Sequence, residues 1–131
     1  MKKMPLLIHN TQKDSEVISM KYSYEFWHHP FGGLRIRLPN EISLVSDLLE
    51  DDIHSEHGLQ YLNRVLNGEV SHLEIGGNSC DLKIQADYTK IVHRYYEEKE
   101  NTCEIETIEL KNLMVVWLAE YENYLQNCNS N

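Results

Sequence analysis

Residues 70–86 read VSHLEIGGNSCDLKIQA and decide the fold. Polar and apolar residues alternate on both sides of Gly76–Gly77–Asn78, and the apolar positions are Leu73, Ile75, Cys80, Leu82, Ile84 and Ala86. An alternation with a period of two is typical of a strand that buries one face. A glycine-rich turn between two such runs indicates a β-hairpin. We therefore expect paired strands over 70–75 and 79–86.

Two more extended segments and a long helix follow this hairpin. A strand is expected around Lys90–Tyr96 and another at Thr102–Glu106, with the charged connection Glu97–Asn101 between them. Beyond Thr107, which can cap a helix, apolar residues recur at spacings of three and four: Leu110, Leu113, Met114, Trp117, Leu118, Tyr121 and Leu125. This spacing predicts an amphipathic helix of about 18 residues, long enough to cover one face of a sheet.

A second hairpin and two helices lie on the N-terminal side. Residues 16–27 and 34–38 each alternate in polarity and flank a turn rich in glycine, which predicts two antiparallel strands. Asn40 is suited to cap a helix from Glu41 to about Asp52. Another helix is expected over Ser55–Asn67, with Gly68 at its C′ position.

The order of these elements predicts the fold class. The order β-β-α-α-β-β-β-α has no strand–helix–strand rhythm, which favours an antiparallel sheet packed on one side by about three helices. The length of 131 residues fits a single α+β domain over 1–131. Residues 1–14, with a short strand at Leu6–Ile8, and residues 127–131 are expected to be loosely ordered.

The negative charge of the chain is unevenly distributed. The formal net charge is −9, and the first 46 residues carry six Lys/Arg against four Asp/Glu. The remaining 85 residues carry six Lys/Arg against seventeen Asp/Glu. Such an excess repels nucleic acid and anionic membranes and favours a basic protein partner. We therefore expect neither nucleic acid nor a membrane as the partner.

The sequence also predicts a cytoplasmic protein. No apolar run approaches the ~20 residues that span a bilayer. The apolar stretch near the N-terminus breaks off at His9–Asn10, so no secretory signal is expected. The three cysteines, Cys80, Cys103 and Cys128, are odd in number and scattered, which is typical of reduced thiols.

Catalytic patterns are absent from the sequence. It contains no nucleophile elbow, no phosphate-binding glycine loop and no paired metal-ligand motif. Cys80 is interpreted as a small core residue, and Glu104 and Glu106 as solvated carboxylates on the outer face of a strand. We expect no enzyme activity, catalytic residue, cofactor or metal. The open alternative is a small metal-dependent enzyme of an unrecognised family that uses His54, His57 and Asp51.

Two acidic runs stand out as candidate binding residues. Asp47, Glu50, Asp51 and Asp52 cluster at the end of the first helix, and Glu97 and Glu98 lie between strands beside Tyr95 and Tyr96. Carboxylates at a helix C-terminus oppose the helix dipole at a cost of about 0.3 kcal/mol or more each, for which a functional role is one explanation. Tyrosine is favoured at interfaces because it combines apolar area with a hydrogen-bonding hydroxyl.

A small acidic α+β chain in which the strand Cys103–Glu106 runs into a helix containing Trp117 resembles bacterial immunity proteins. These proteins belong to polymorphic toxin and contact-dependent growth inhibition systems, and the resemblance covers mainly residues 70–125. It implies an antitoxin that binds a cognate toxin, often a nuclease, and blocks its active site. The group has no catalytic residues to carry over.

The resemblance and the charge pattern together predict a partner-binding surface. We expect the acidic residues of both runs to meet basic residues of a toxin, with Tyr95 and Tyr96 as anchors. The face that binds, and whether the active site is blocked directly or from an exosite, stay open. The chain is expected to be a monomer or a weak homodimer. A self-associating adaptor that uses the Trp117 helix is a further alternative.

Overall fold

A computed structural model describes residues 5–8, 16–96 and 101–129 of the chain. The elements in chain order are β1 (Pro5–Ile8), β2 (Glu16–Ser19), β3 (Glu25–His28), β4 (Leu34–Arg37), α1 (Ser43–Asp52), α2 (His57–Leu66), β5 (His72–Gly76), β6 (Cys80–Gln85), β7 (Tyr88–His93), β8 (Thr102–Glu106) and α3 (Thr107–Asn129). A 3₁₀ turn, Asn40–Ile42, precedes α1.

The α+β class is confirmed. Strands β5 to β8 form an antiparallel sheet in the order β5-β6-β7-β8, while β1 pairs with β2 and β3 pairs with β4. The predicted order has three strands after the second helix, whereas the large sheet has four. These four strands coincide with the four extended segments identified in the sequence. Most of the predicted lead-in 1–14 lies outside the described residues, but its short strand is present as part of β1.

The predicted strand over 16–27 is divided into β2 and β3. Between them Met20 and Tyr24 remain buried, so the alternation in burial continues through a segment that has left the sheet. A contact with α3 holds this segment, because the backbone N–H of Lys21 donates to a carboxylate oxygen of Glu109 at 3.1 Å. The pattern of burial was predicted correctly, and the continuous strand was not.

One face of the β5–β8 sheet carries the core. Alternate residues of its strands point into it, and α1, α2 and α3 all contact the sheet. The fully buried side chains from both layers include Leu48, Leu49, Leu62, Ile84, Ile91, Ile105, Leu110, Leu113 and Trp117. Ala86 lies in the turn beyond β6 and is exposed, unlike the other predicted inward positions of that strand.

The predicted cap at Asn40 is wrong, and the predicted cap at Gly68 is confirmed. Asn40 lies within the 3₁₀ turn, in which Pro39 holds the N-cap position, and Ile42 holds the N-cap position of α1. Gly68 has φ of +80°, and the N–H groups of Gly68 and Glu69 donate to the carbonyls of Val65 and Arg64. These are the bonds of a Schellman C-cap, as expected.

The helix α3 is anchored to the sheet by polar contacts. The Thr107 hydroxyl donates to the Gln85 carbonyl at 2.5 Å and lies 2.8 Å from the Thr89 hydroxyl. Both threonine side chains are fully buried. The start of α3 is therefore tied to β6 and β7, and the helix extends to Asn129, further than predicted. Within the described part of the chain, no helix combines the length and the apolar character needed to cross a membrane.

Trp117 is the largest fully buried side chain, with a relative exposure of 1%. Its indole N–H donates to the carbonyl of Ile53 at 2.7 Å, in the segment between α1 and α2. Trp117 therefore joins α3 to the α1–α2 connection. The indole is thus part of the core, whereas the adaptor alternative concerns the outer side of the same helix and stays a prediction.

We predict that Trp117→Phe lowers the free energy of unfolding by about 1–3 kcal/mol, because it leaves the buried Ile53 carbonyl without its donor and opens a small cavity. Urea unfolding followed by circular dichroism measures the change. Trp27→Phe is the matched control, since Trp27 is only half-buried. Equal losses in the two variants would contradict the assigned role of the indole N–H.

Candidate partner-binding face

The four carboxylates at the end of α1 point in two directions. Glu50 faces β4, where it accepts a hydrogen bond from the Ile36 N–H at 2.9 Å and lies 3.9 Å from Arg35. Asp47 and Asp51 are one helical turn apart and share another side of the helix. Glu50 thus attaches α1 to β4, where its oxygens are engaged, while its charge still interacts with those of Asp47 and Asp51.

Asp52 holds the turn between β5 and β6. Its carboxylate accepts hydrogen bonds from the N–H groups of Asn78, Ser79 and Cys80, each with a shortest distance of 3.0 Å. A Cβ atom on Gly77 would lie 2.6 Å from the nearer Asp52 oxygen, so glycine is needed for this close approach. These charge-assisted bonds offset the cost of an acid at a helix C-terminus.

Arg94 holds the same turn from the carbonyl side. Its guanidinium donates to the carbonyl oxygens of Gly77 and Asn78 and forms an ion pair with Asp81. The turn is therefore clamped between a carboxylate that accepts from its N–H groups and a guanidinium that donates to its carbonyls. The prediction did not include Arg94. The register of β6 and β7 explains the position of Arg94: Cys80 pairs with His93, so residue 94 lies beside the turn.

The structure brings the α1 acids together with the predicted tyrosines. The Tyr96 hydroxyl donates to Asp47 at 3.2 Å, across a separation of 49 residues. His93 arranges this region, because its ring stacks on Tyr96 at 3.7 Å and its Nδ1 accepts the Tyr95 N–H at 3.2 Å. Tyr95 and Tyr96 are 67% and 45% exposed.

We call the surface formed by Asp47, Asp51, Asp52, Tyr95 and Tyr96 the acidic face. Burial raises the pKa of Asp47, and the charge of Asp51 adds to the increase, although the hydrogen bond from Tyr96 and the nearby His93 oppose it. Burial also raises the pKa of Tyr96, as do the charges of Asp47 and Asp51. The ionised form of Asp47 is therefore less favourable here than in water, and a nearby cation would stabilise it.

The other acidic candidates lie elsewhere. Glu97 and Glu98 fall outside the described residues. Glu104 is exposed on β8, as expected. Glu106, in contrast, is half-buried and binds Lys21 and the Tyr22 hydroxyl, the latter at 2.7 Å. Burial alone would raise the pKa of Glu106, but the bonds from Lys21 and Tyr22 outweigh it and lower the pKa, so the prediction of a solvated carboxylate is wrong there.

The alternative metal ligands are not brought together. The His54 Nε2 donates to the Glu50 carbonyl at 2.8 Å, and its ring packs on Tyr121. The His57 Nδ1 lies 3.0 Å from the Ser55 hydroxyl, so each imidazole has a local partner. Among the described residues, no group of three or more His, Cys, Asp or Glu side chains is arranged to hold a metal ion.

The surroundings of Cys80 and Cys103 disfavour the thiolate form. Burial raises the pKa of Cys80 to about 12, and nearby carboxylates contribute to the increase. Burial likewise raises the pKa of Cys103 to about 11. A thiol with a raised pKa is a poor nucleophile at neutral pH, and the interpretation of Cys80 as a core residue is confirmed.

Comparison with known proteins identifies the family. The chain is 34% identical over 113 residues to a protein of Bacillus cereus described as "Immunity protein", and the match covers 84% of this chain and 97% of that relative. The chain belongs to the immunity protein family. The resemblance noted in the sequence is confirmed at this level. No family model matches the chain, and no solved structure matches it.

The Asp52 clamp of this immunity protein should be a main source of local stability. We predict that Asp52→Ala lowers the free energy of unfolding by about 2 kcal/mol or more, because three N–H groups lose their charged acceptor. Hydrogen exchange should accelerate at the amides of Asn78, Ser79 and Cys80. Asp51→Ala is the matched control and should leave both quantities nearly unchanged. A stable Asp52→Ala variant with slow exchange at these amides would contradict the clamp.

The charge of Asp47 should destabilise the immunity protein. Folding raises the pKa of this carboxyl above its ordinary value, so the folded state binds the proton more tightly and stability falls as pH rises through the raised pKa. Asp47→Asn keeps an oxygen that can accept from Tyr96 and removes the charge. We predict a melting temperature higher by about 2 °C at pH 7, with a smaller gain near the ordinary carboxyl pKa.

Thermal unfolding across this pH range checks the Asp47 prediction. Asp51→Asn serves as the comparison, since Asp51 is exposed and lies one helical turn from Asp47. A gain for Asp47→Asn that does not depend on pH would show that the effect is not electrostatic.

Proposed function

We propose that this immunity protein binds and neutralises a cognate bacterial toxin, a nuclease, by placing its acidic face in the basic active-site groove of that toxin. Family membership implies a toxin partner, and the charge of the acidic face suggests how that partner is bound. A nuclease groove is basic because it holds the phosphates of its substrate, and a protein surface of opposite charge competes for the same groove.

The hydrogen bond between Tyr96 and Asp47 is the observation that supports this proposal most directly. It joins two sequence segments, the end of α1 and the end of β7, into one surface that carries both carboxylates and exposed tyrosines. A surface with charges at its edge and aromatic side chains at its centre has the composition of protein interfaces. The charges guide the encounter, and the aromatic side chains slow dissociation once the complex has formed.

The electrostatics of the acidic face also favour a basic partner. Among the described residues, neither Asp47 nor Asp51 forms an ion pair with a lysine or arginine. The nearest described arginine on this side, Arg94, is engaged with Asp81 and the β5–β6 turn. The unfavourable free energy indicated by the raised pKa of Asp47 would be recovered when toxin cations approach.

The mechanism requires no chemistry on the immunity protein itself. Inhibition by occupation needs a complementary surface and slow dissociation, so the proposed protein acts without enzyme activity, cofactor or bound metal. We propose that it acts in the cytoplasm as a monomer or weak homodimer, with the toxin domain as its partner and with no nucleic acid or membrane bound.

Charge reversal on the acidic face tests the proposal. With the purified cognate toxin domain, which we expect to find encoded by a neighbouring gene, Asp51→Lys should slow association by about tenfold at low salt, and the difference should shrink as salt increases. Surface plasmon resonance measures the rates. Glu69→Lys is the control with the same change in charge, because Glu69 precedes β5, at the opposite end of that strand from the Gly76–Ser79 turn. Equal effects of the two variants would contradict the assigned face.

Cleavage assays separate groove occupation from binding elsewhere. A saturating amount of the immunity protein should abolish cleavage of a large substrate, either plasmid DNA or a long RNA. It should also abolish cleavage of a short oligonucleotide. Continued cleavage of the oligonucleotide within the complex would mean that the protein binds outside the groove. Failure of the toxin to cleave any nucleic acid would overturn the nuclease assignment.

A further inference from the structure

A cavity of about 140 Å³ lies beside the acidic face. It is bounded by the end of α1, the start of α2 and the β5–β6 turn. Its walls are largely apolar and include Ile53, Ile75, Leu82 and the ring of Tyr61. Asp52, which belongs to the acidic face, also lines the cavity. His57 and Cys80 also belong to the lining, in which Asp52 is the one carboxylate among the described residues.

Glycines keep this cavity open. Three of the six glycines of the chain, Gly58, Gly76 and Gly77, line it. A Cβ atom on Gly58 would lie 3.0 Å from the Cδ1 atom of Ile53, in the wall of the cavity. Gly58 is the second residue of α2, and the Cε atom of the fully buried Met114 lies 3.6 Å from the same Cβ position. A side chain at position 58 would therefore press on Ile53 and Met114 and narrow the space.

The potential in the cavity is negative. The carboxylate of Asp52 lies in the lining and accepts hydrogen bonds from three N–H groups of the turn. At Cys80, in the same lining, the charges of Asp52, Asp47 and Asp51 add to the burial that raises the thiol pKa, while the charge of Arg94 acts in the opposite direction. Lysine and arginine are absent from the residues described as lining the cavity. The Asp52 carboxylate is hydrogen-bonded to the turn but keeps its negative charge, which attracts a cation in the cavity and does not attract an apolar group.

We propose that this cavity receives a lysine or arginine side chain of the partner, with its methylene stem against Ile53, Ile75 and Leu82 and its cationic head at Asp52. Such side chains bury an apolar stem while keeping the charged head with a polar partner, which matches the two kinds of wall. That the side chain comes from a basic toxin rests on the proposed function, whereas the preference of the cavity for this chemistry does not.

Small probes test the cavity without any toxin. The ¹H–¹⁵N spectrum of the labelled wild-type protein is followed during titration with butylguanidinium and butylammonium, which carry both stem and head. Guanidinium supplies the head alone, and n-butanol supplies the stem alone. We expect saturable shifts at the amides of Asn78, Ser79 and Cys80, with a dissociation constant for at least one stem-and-head probe about tenfold lower than for either half.

Filling the cavity provides the matched test. Gly58→Leu should abolish the saturable shifts, while Gln60→Leu, which adds the same side chain to an exposed position of α2, should preserve them. Equal or tighter binding of n-butanol would overturn the basic occupant, and unchanged amides with every probe would overturn the site. If Gly58→Leu does not fold, the comparison of the four probes on the wild-type protein still tests the proposal.

The probe titration and the charge-reversal experiment with the toxin can fail independently of each other. Probe binding in the cavity together with no toxin binding at the acidic face would support the site and reject the proposed function. In the toxin complex, Gly58→Leu should increase the dissociation rate by about tenfold, because a buried anchor is lost.

Discussion

The hydrogen bonds from the β5–β6 turn to Asp52 are the constraint on which the functional part of this molecule depends. They join the C-terminal end of α1 to the sheet at the point where β5 reverses into β6. Glycine at position 77 permits the close approach, and Arg94 holds the opposite side of the turn. Without this clamp neither the wall of the cavity nor the position of the α1 acids relative to Tyr96 would be defined.

The acids at the end of α1 illustrate how one sequence cluster divides into separate tasks. Glu50 attaches the helix to β4, and Asp52 attaches it to the β5–β6 turn. Both therefore receive donors that offset the unfavourable interaction with the helix dipole. Asp47 accepts a hydrogen bond from Tyr96, and its burial, together with the charge of Asp51, still raises its pKa. For Glu50 and Asp52, the unfavourable interaction with the helix dipole is thus balanced by hydrogen bonds that hold the fold together. For Asp47, on the acidic face, the ionised form remains less favourable than in water.

Periodicity predicted what depends on local pattern, and the remaining features depend on contacts between distant segments. The hairpin over 70–86, the Schellman end of α2 and the course of α3 all follow from side-chain spacing and glycine placement. The break between β2 and β3 does not, because the alternation continues through it. Arg94 and the bond from Trp117 to Ile53 became visible only when β7 and α3 were placed against their neighbours. For the same reason, sequence reasoning could name Asp47 and Tyr96 but could not show that they touch.

The arrangement separates two physical contributions to binding within a small area. Carboxylates on the open acidic face act at a distance, so they affect mainly the rate of encounter and are weakened by salt. The cavity acts only on contact, where an enclosed carboxylate and apolar walls exclude water from whatever enters, and it therefore affects mainly the lifetime of a complex. Asp52 takes part in both, since it borders the face, lines the cavity and holds the turn. A change at Asp52 would alter fold and recognition together, whereas Asp51 and Gly58 allow the two contributions to be examined separately.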